Sequence, residues 1–146
     1  LIGLEHSNNQ LTNFCERIIN KIGHEEEKKN CFYYVIAWNL EKICDDYKYI
    51  CDHLLNTKLT IKKEILNLLE ETNKFFKEYY EILYKFEINE LSKLADKGKR
   101  ILKEARSMSK LIKNEADFII LNSIIQIVLK TRDFSASYVA IKEFSA

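Results

Sequence analysis

Apolar residues recur along this chain at alternating spacings of three and four, the period of a helix with one buried side. The clearest stripe is Tyr33, Ile36, Leu40, Ile43, Tyr47, Ile50 and Leu54. It predicts a long helix from about Glu25 to Leu55, with Glu25, Glu26 and Glu27 at the positive end of its dipole. A second unbroken stripe runs through Ile61, Ile65, Leu68, Thr72, Phe75, Tyr79, Ile82 and Phe86, in a helix starting after Thr57 or Thr60. A third joins Leu91, Leu94, Gly98, Ile101, Ala105, Met108 and Ile112, in a helix from Asn89 to Ile112. Leu11, Cys15, Ile18 and Ile22 form a shorter seam. That seam predicts a helix from Asn9 to Ile22, capped by Asn8 or Asn9 and closed by Gly23. The last helix, Asn114 to Glu143, is apolar nearly all round from Phe118 to Leu129, so burial on several sides is expected.

Such seams, joined by short loops, predict antiparallel neighbours. The expected fold is an all-α, elongated antiparallel bundle of about five helices, one short and four long. The long ones span about 35–45 Å at the rise of an α-helix. Proline is absent and glycine occurs three times, which disfavours strands and tight turns. Gly98 and Ala105 are small residues within a seam, so a neighbouring helix can approach closely there. A helical glycine costs about 1 kcal/mol against alanine, and Gly98 reads as a residue tolerated for a tight crossing.

The 146 residues suit one domain, and 47% of them are apolar. The 23 basic and 22 acidic side chains leave a net charge of +1. A dedicated nucleic-acid surface usually shows a basic excess, so no direct nucleic-acid binding is expected. No apolar run reaches the roughly 18–20 residues of a membrane span. Residues 118–129 come closest and are interrupted by Asn122, Ser123 and Gln126. Glu5 and His6 follow the first residues directly, which does not fit a signal peptide. The first residue is not methionine, as expected of a trimmed chain or one part of a longer protein. Cys15, Cys31, Cys44 and Cys51 form no CxxC pair, so they are expected to be reduced and mostly packed, in a cytoplasmic protein.

The long second helix has a chemically distinct side. With about 100° between successive residues, Glu41, Asp45 and Asp52 align in one stripe nearly opposite the seam. Trp38 and Tyr34 share that side in the preceding turns and are candidates for partner contact. Glu41 and Asp45 are four apart, so their charges are neighbours. A hard or borderline cation, or a lysine or arginine, would relieve the repulsion. A plain solvated face is the alternative.

The stretch Leu40-Glu41-Lys42-Ile43-Cys44-Asp45-Asp46-Tyr47-Lys48-Tyr49-Ile50-Cys51-Asp52 resembles the signature of PhoU-like proteins. That resemblance implies three-helix repeats, commonly in tandem, and a role in the regulation of phosphate uptake. It also implies a Glu-x-x-x-Asp motif that holds iron or other metals in some members. Glu41 and Asp45 match that motif, and Asp52 matches a trailing acid. A weaker echo, Lys130 to Ser137, supplies Asp133, with Leu129 where the first acid belongs. The metal candidates implied are Glu41, Asp45, Asp52 and Asp133, with divalent, iron or zinc ions as the cofactors. On this resemblance residues 9–56 are a partial first repeat and 57–146 a full second one. Leu1-Ile2-Gly3-Leu4-Glu5 resembles the junction between an AbrB-like DNA-binding domain and a PhoU-like domain in archaeal regulators.

The expected function is non-catalytic regulation through a protein partner or a homo-oligomer, the dimer first. A structural adaptor or dimerisation module of a transcription regulator is the alternative. A di-iron oxidase would need Glu-x-x-His pairs on two helices, and none occurs. His6, His24 and His53 fall near helix ends or on surfaces and are expected to be exposed. No Gly-rich phosphate loop or nucleophile elbow is present.

Overall fold

A computed structural model describes residues 2–23, 27–56 and 60–143. Among them are five α-helices and no strand: α1 (Ile2–Lys21), α2 (Asn30–Asn56), α3 (Lys63–Tyr84), α4 (Ile88–Met108) and α5 (Glu115–Glu143). Short 3-10 turns, Glu27–Lys29 and Ser109–Leu111, precede α2 and follow α4. The all-α class is therefore as the periodicity requires.

The seams of α3 and α4 are buried as their spacing demands. Ile65, Leu68, Thr72, Phe75, Tyr79 and Ile82 face inward from α3, and Leu91, Leu94, Gly98, Ile101, Ala105 and Met108 from α4. Helix α5 is the centre of the bundle and touches α2, α3 and α4. Its Ile120, Leu121, Ile124, Ile127, Val128, Phe134, Tyr138 and Ile141 are all buried. Each such side chain contributes about 1.5–3 kcal/mol on removal from water. The Tyr138 hydroxyl donates to the carbonyl of Tyr79, and the Tyr79 hydroxyl lies 2.8 Å from Ser135 Oγ. Buried Thr72 and Thr131 bond the carbonyls one turn back, Leu68 and Ile127, which satisfies their hydroxyls within the helix.

Contacts between α2 and α5, α3 and α4, and α4 and α5 run antiparallel, whereas α3 and α5 run parallel. Lys130 meets Asp46, Lys97 meets Glu78, and Lys62 and Tyr79 meet Asp117 and Ser135. Asp117 fixes the lower end. Its buried carboxylate accepts the backbone N–H of Lys62, before α3, and of Lys113, before α5. Asn114, expected as the first residue of this helix, instead caps it, its Oδ1 accepting the Asp117 N–H at 2.8 Å.

Several boundaries differ from expectation. Helix α1 begins at Ile2 instead of Asn9, so at 20 residues it is nearly as long as α3 and α4. Ser7 Oγ donates to the Gly3 carbonyl, and Asn8 and Asn9 lie within the helix instead of capping it. Gly23 does close it, at φ 72°, with its N–H on the Ile18 carbonyl. Helix α2 starts at Asn30, because Glu27 belongs to the 3-10 turn; Glu25 and Glu26 lie outside the described residues. Thr60 precedes α3 by three residues and the capping position falls to Lys62, while Thr57 lies outside the described residues.

The larger correction concerns α1. Its apolar seam does not enter the core: Leu11, Cys15, Ile18 and Ile22 are all exposed. Among the described residues, α1 packs chiefly on α2, through the polar positions Glu5, Asn8, Asn9, Thr12 and Glu16, together with Ile19.

Candidate functional site

The acidic side of α2 is the surface on which α1 lies. The helices run antiparallel. Leu4, Glu5 and Asn8 lie beside Cys44, Lys48 and Cys51, and Asn9, Thr12, Asn13 and Glu16 beside Tyr34, Trp38 and Glu41. Lys48 Nζ meets Glu5 Oε1 at 2.5 Å across the layer, and this bond raises the lysine pKa.

Glu41 and Asp45 do converge, and the charge between them comes from α2 itself. Lys42 Nζ stands 3.0 Å from Glu41 Oε2 and 3.3 Å from Asp45 Oδ2. The hydrogen bond to Glu41 is the main reason the Lys42 pKa is raised, against the opposing effect of burial. The repulsion expected of an i,i+4 acid pair is thus offset by a neighbouring lysine.

The other metal candidates stand elsewhere. Asp52 lines an open cavity of about 470 Å³ near the end of α2, with Asp46, Tyr49, His53, Phe118 and Asn122. Asp133 is exposed on α5. Among the described residues no three His, Cys, Asp or Glu side chains gather as a metal-holding group. Of the two partner-contact candidates, Trp38 is half exposed and Tyr34 partly buried, both beside α1.

Two further features escaped the sequence reading. Asp46, next to the motif acid Asp45, is buried and bonded to Lys130 Nζ at 2.6 Å. Burial pushes its carboxyl above the usual range, with Lys130 opposing that shift. Its position 120° from the acidic stripe, toward α5, is the helical-wheel signal that marks it. His53 is not an exposed histidine: it is partly buried, and its Nε2 has no hydrogen-bond partner. His6 is exposed as expected, and His24 lies outside the described residues.

The four cysteines are unbridged, but Cys15, Cys31 and Cys44 are exposed and only Cys51 is partly buried. The expected packing of the thiols therefore does not hold: Cys15 lies on the outward seam of α1, and Cys44 lines the groove between α1 and α2. No described helix is long and apolar enough to cross a membrane. No family model, curated protein or solved structure matches this chain.

Proposed function

We propose that this chain is a non-catalytic helical interaction module of the cytoplasm, working through α1 and the flank of α2 beside it. One observation carries the reading. Helix α1 rests on the bundle by its polar side and turns Leu4, Leu11, Phe14, Ile18 and Ile22 to solvent. Contiguous apolar surface of this kind marks an interaction site. Four unbridged cysteines suit a reducing compartment. The test is Leu11→Glu combined with Ile18→Glu. Helicity by circular dichroism should persist, because neither side chain is in the core, while association in solution should be lost. Retained association in a folded double variant would sink the reading.

A more specific form is a PhoU-like regulator of phosphate uptake that holds a divalent, iron or zinc ion. Its support is the sequence from Leu40 to Asp52 and the convergence of Glu41 and Asp45 on one point, now held by the Lys42 ammonium. Asp52 and Asp133 would be its outlying acids. Elemental analysis of protein purified without chelators tests it. Metal absent from the wild type, or unchanged in Glu41→Ala with Asp45→Ala, would remove the metal from this reading.

A further inference from the structure

We infer that the outer stripe of α1 is covered by the same stripe of a second copy of this chain, the two helices antiparallel about a two-fold axis. This rests on the interaction-module reading and names its partner.

The stripe has the form such a pairing needs. Leu4, Leu11 and Ile18 are seven apart, and Phe14, Cys15 and Ile22 fill the turns between them. This is a heptad seam of the kind that packs helix on helix. With Leu11 at zero and about 100° per residue, the stripe lies between about −60° and 40°. The positions that face α2 lie between about 60° and 160° on the same scale. The stripe therefore stands beside the α2 contact, on the flank where Leu4 shares an apolar cavity of about 240 Å³ with Cys44, Tyr47 and Cys51. A second helix laid along that flank touches α1 and α2 together.

The open area approaches that of a dimer contact. Leu4 is 75% exposed, Leu11 64%, Phe14 60%, Ile18 37% and Ile22 80%. At about 150 Å² for a side chain of this size, the lower end of the aromatic range, these leave on the order of 500 Å² open. A stable interface buries about 800 Å² per partner, which the flanking Ser7, Cys15 and Lys21 bring within reach. The triplet Leu4, Leu11 and Ile18, evenly spaced about Leu11, is also self-complementary. In antiparallel register Leu4 meets Ile18 of the partner subunit and Leu11 lies near the axis, which is the isologous geometry of a two-fold dimer. The polar α1–α2 layer fits the same account. Asn8 Nδ2 and Asn9 Oδ1 are buried there without hydrogen-bond partners, so α1 is weakly held in one copy and gains support from two.

Sedimentation equilibrium of the full chain, with chemical cross-linking, tests the pairing. The expected mass is twice 17.3 kDa at micromolar concentration. Leu11→Glu with Ile18→Glu should weaken dimerisation roughly a hundredfold or more, as loss of two central anchors does, with helicity kept. In a chain whose four cysteines are serine, Leu11→Cys should cross-link to a covalent dimer with a short bismaleimide. Arg17→Cys, exposed on the side of α1 away from both the stripe and α2, should not. A dimer indifferent to the double substitution, or one cross-linked through Arg17→Cys and not Leu11→Cys, overturns the pairing. A monomeric wild type also overturns it. If that monomer binds an apolar dye that the double variant does not, the interaction-module reading survives; if neither binds dye, both fall.

Discussion

Lys130 of α5 reaches across to Asp46 of α2, Nζ to Oδ2 at 2.6 Å, and caps a carboxylate that is 6% exposed. The ammonium also approaches the Lys42 carbonyl at 3.4 Å. Removing one partner of a buried pair leaves the other uncompensated. Lys130→Ala should therefore destabilise the fold by about 2–3 kcal/mol at neutral pH. That is below the usual 3–5 kcal/mol because Lys130 keeps some contact with water. Urea denaturation measures it.

The same pair sets a pH dependence. Burial holds the Asp46 pKa above its ordinary value. A carboxyl with a raised native pKa binds its proton more readily folded than unfolded. Its favourable contribution is therefore complete below the unfolded value, about 4, and is lost as pH rises through the raised native value. Asp46→Asn has no such loss. Its stability relative to the wild type should improve as pH climbs from about 4 toward neutrality, read from paired denaturation curves. A difference that stays flat, or shrinks, would refute the assignment.

A Cβ on Gly98 would stand 2.9 Å from Phe75 Cζ and 2.9 Å from Arg132 Cδ. The arginine stem can move, but Phe75 is fully buried and cannot. Overpacking of this kind costs about 1–3 kcal/mol, more than the roughly 1 kcal/mol of helix propensity alanine returns. Gly98→Ala should lower the melting temperature and Gly98→Val should lower it further. A stabilised alanine variant would show that the crossing is looser than the contact distances imply.

The tight crossing at Gly98 was legible in the sequence because a small residue stood where the seam wanted a large one. The seams of α3 and α4 were legible from their alternating spacing of three and four. Leu11, Cys15, Ile18 and Ile22 share a spacing with those seams and end on the surface. Periodicity says which residues share a side of a helix; whether that side meets the core depends on partners the pattern does not name. Lys42 illustrates the limit at the candidate site. Glu41 and Asp45 could be placed together by counting turns, but that the lysine between them bends back to bridge both is a matter of rotamer. Asp46 is masked in the pattern by its neighbour Asp45, which falls on the acidic stripe.

Because Lys42 occupies the point between Glu41 and Asp45, any cation there must displace it. Lys42→Met should leave the two carboxylates unopposed, with a loss of a few tenths of a kcal/mol from like charges at i,i+4. Affinity for divalent cations should rise against the wild type. Isothermal titration with manganese and with magnesium checks this. Equal affinities in the two proteins would mean that the carboxylates do not converge on a shared cation.

Helix α1 should be the first part of the molecule to open. It touches α2 alone among the helices with substantial packing, and it does so through Glu5, Asn8, Asn9, Thr12 and Glu16. A buried polar atom without a partner costs about 1–3 kcal/mol, and Asn8 Nδ2 and Asn9 Oδ1 are two such atoms. Amide exchange in dilute protein should be fastest in α1 and slowest in α3 and α5. Asn8→Leu replaces an unsatisfied amide by an apolar group of similar size, and should slow exchange through α1 by about tenfold or more, the equivalent of about 1.4 kcal/mol. Glu5→Ala breaks the bond to Lys48 and should act in the opposite direction, leaving α3 to α5 unchanged. Opposite effects of these two variants on one helix identify the polar layer as what holds α1; a uniform effect across all five helices would place its stability in the core instead.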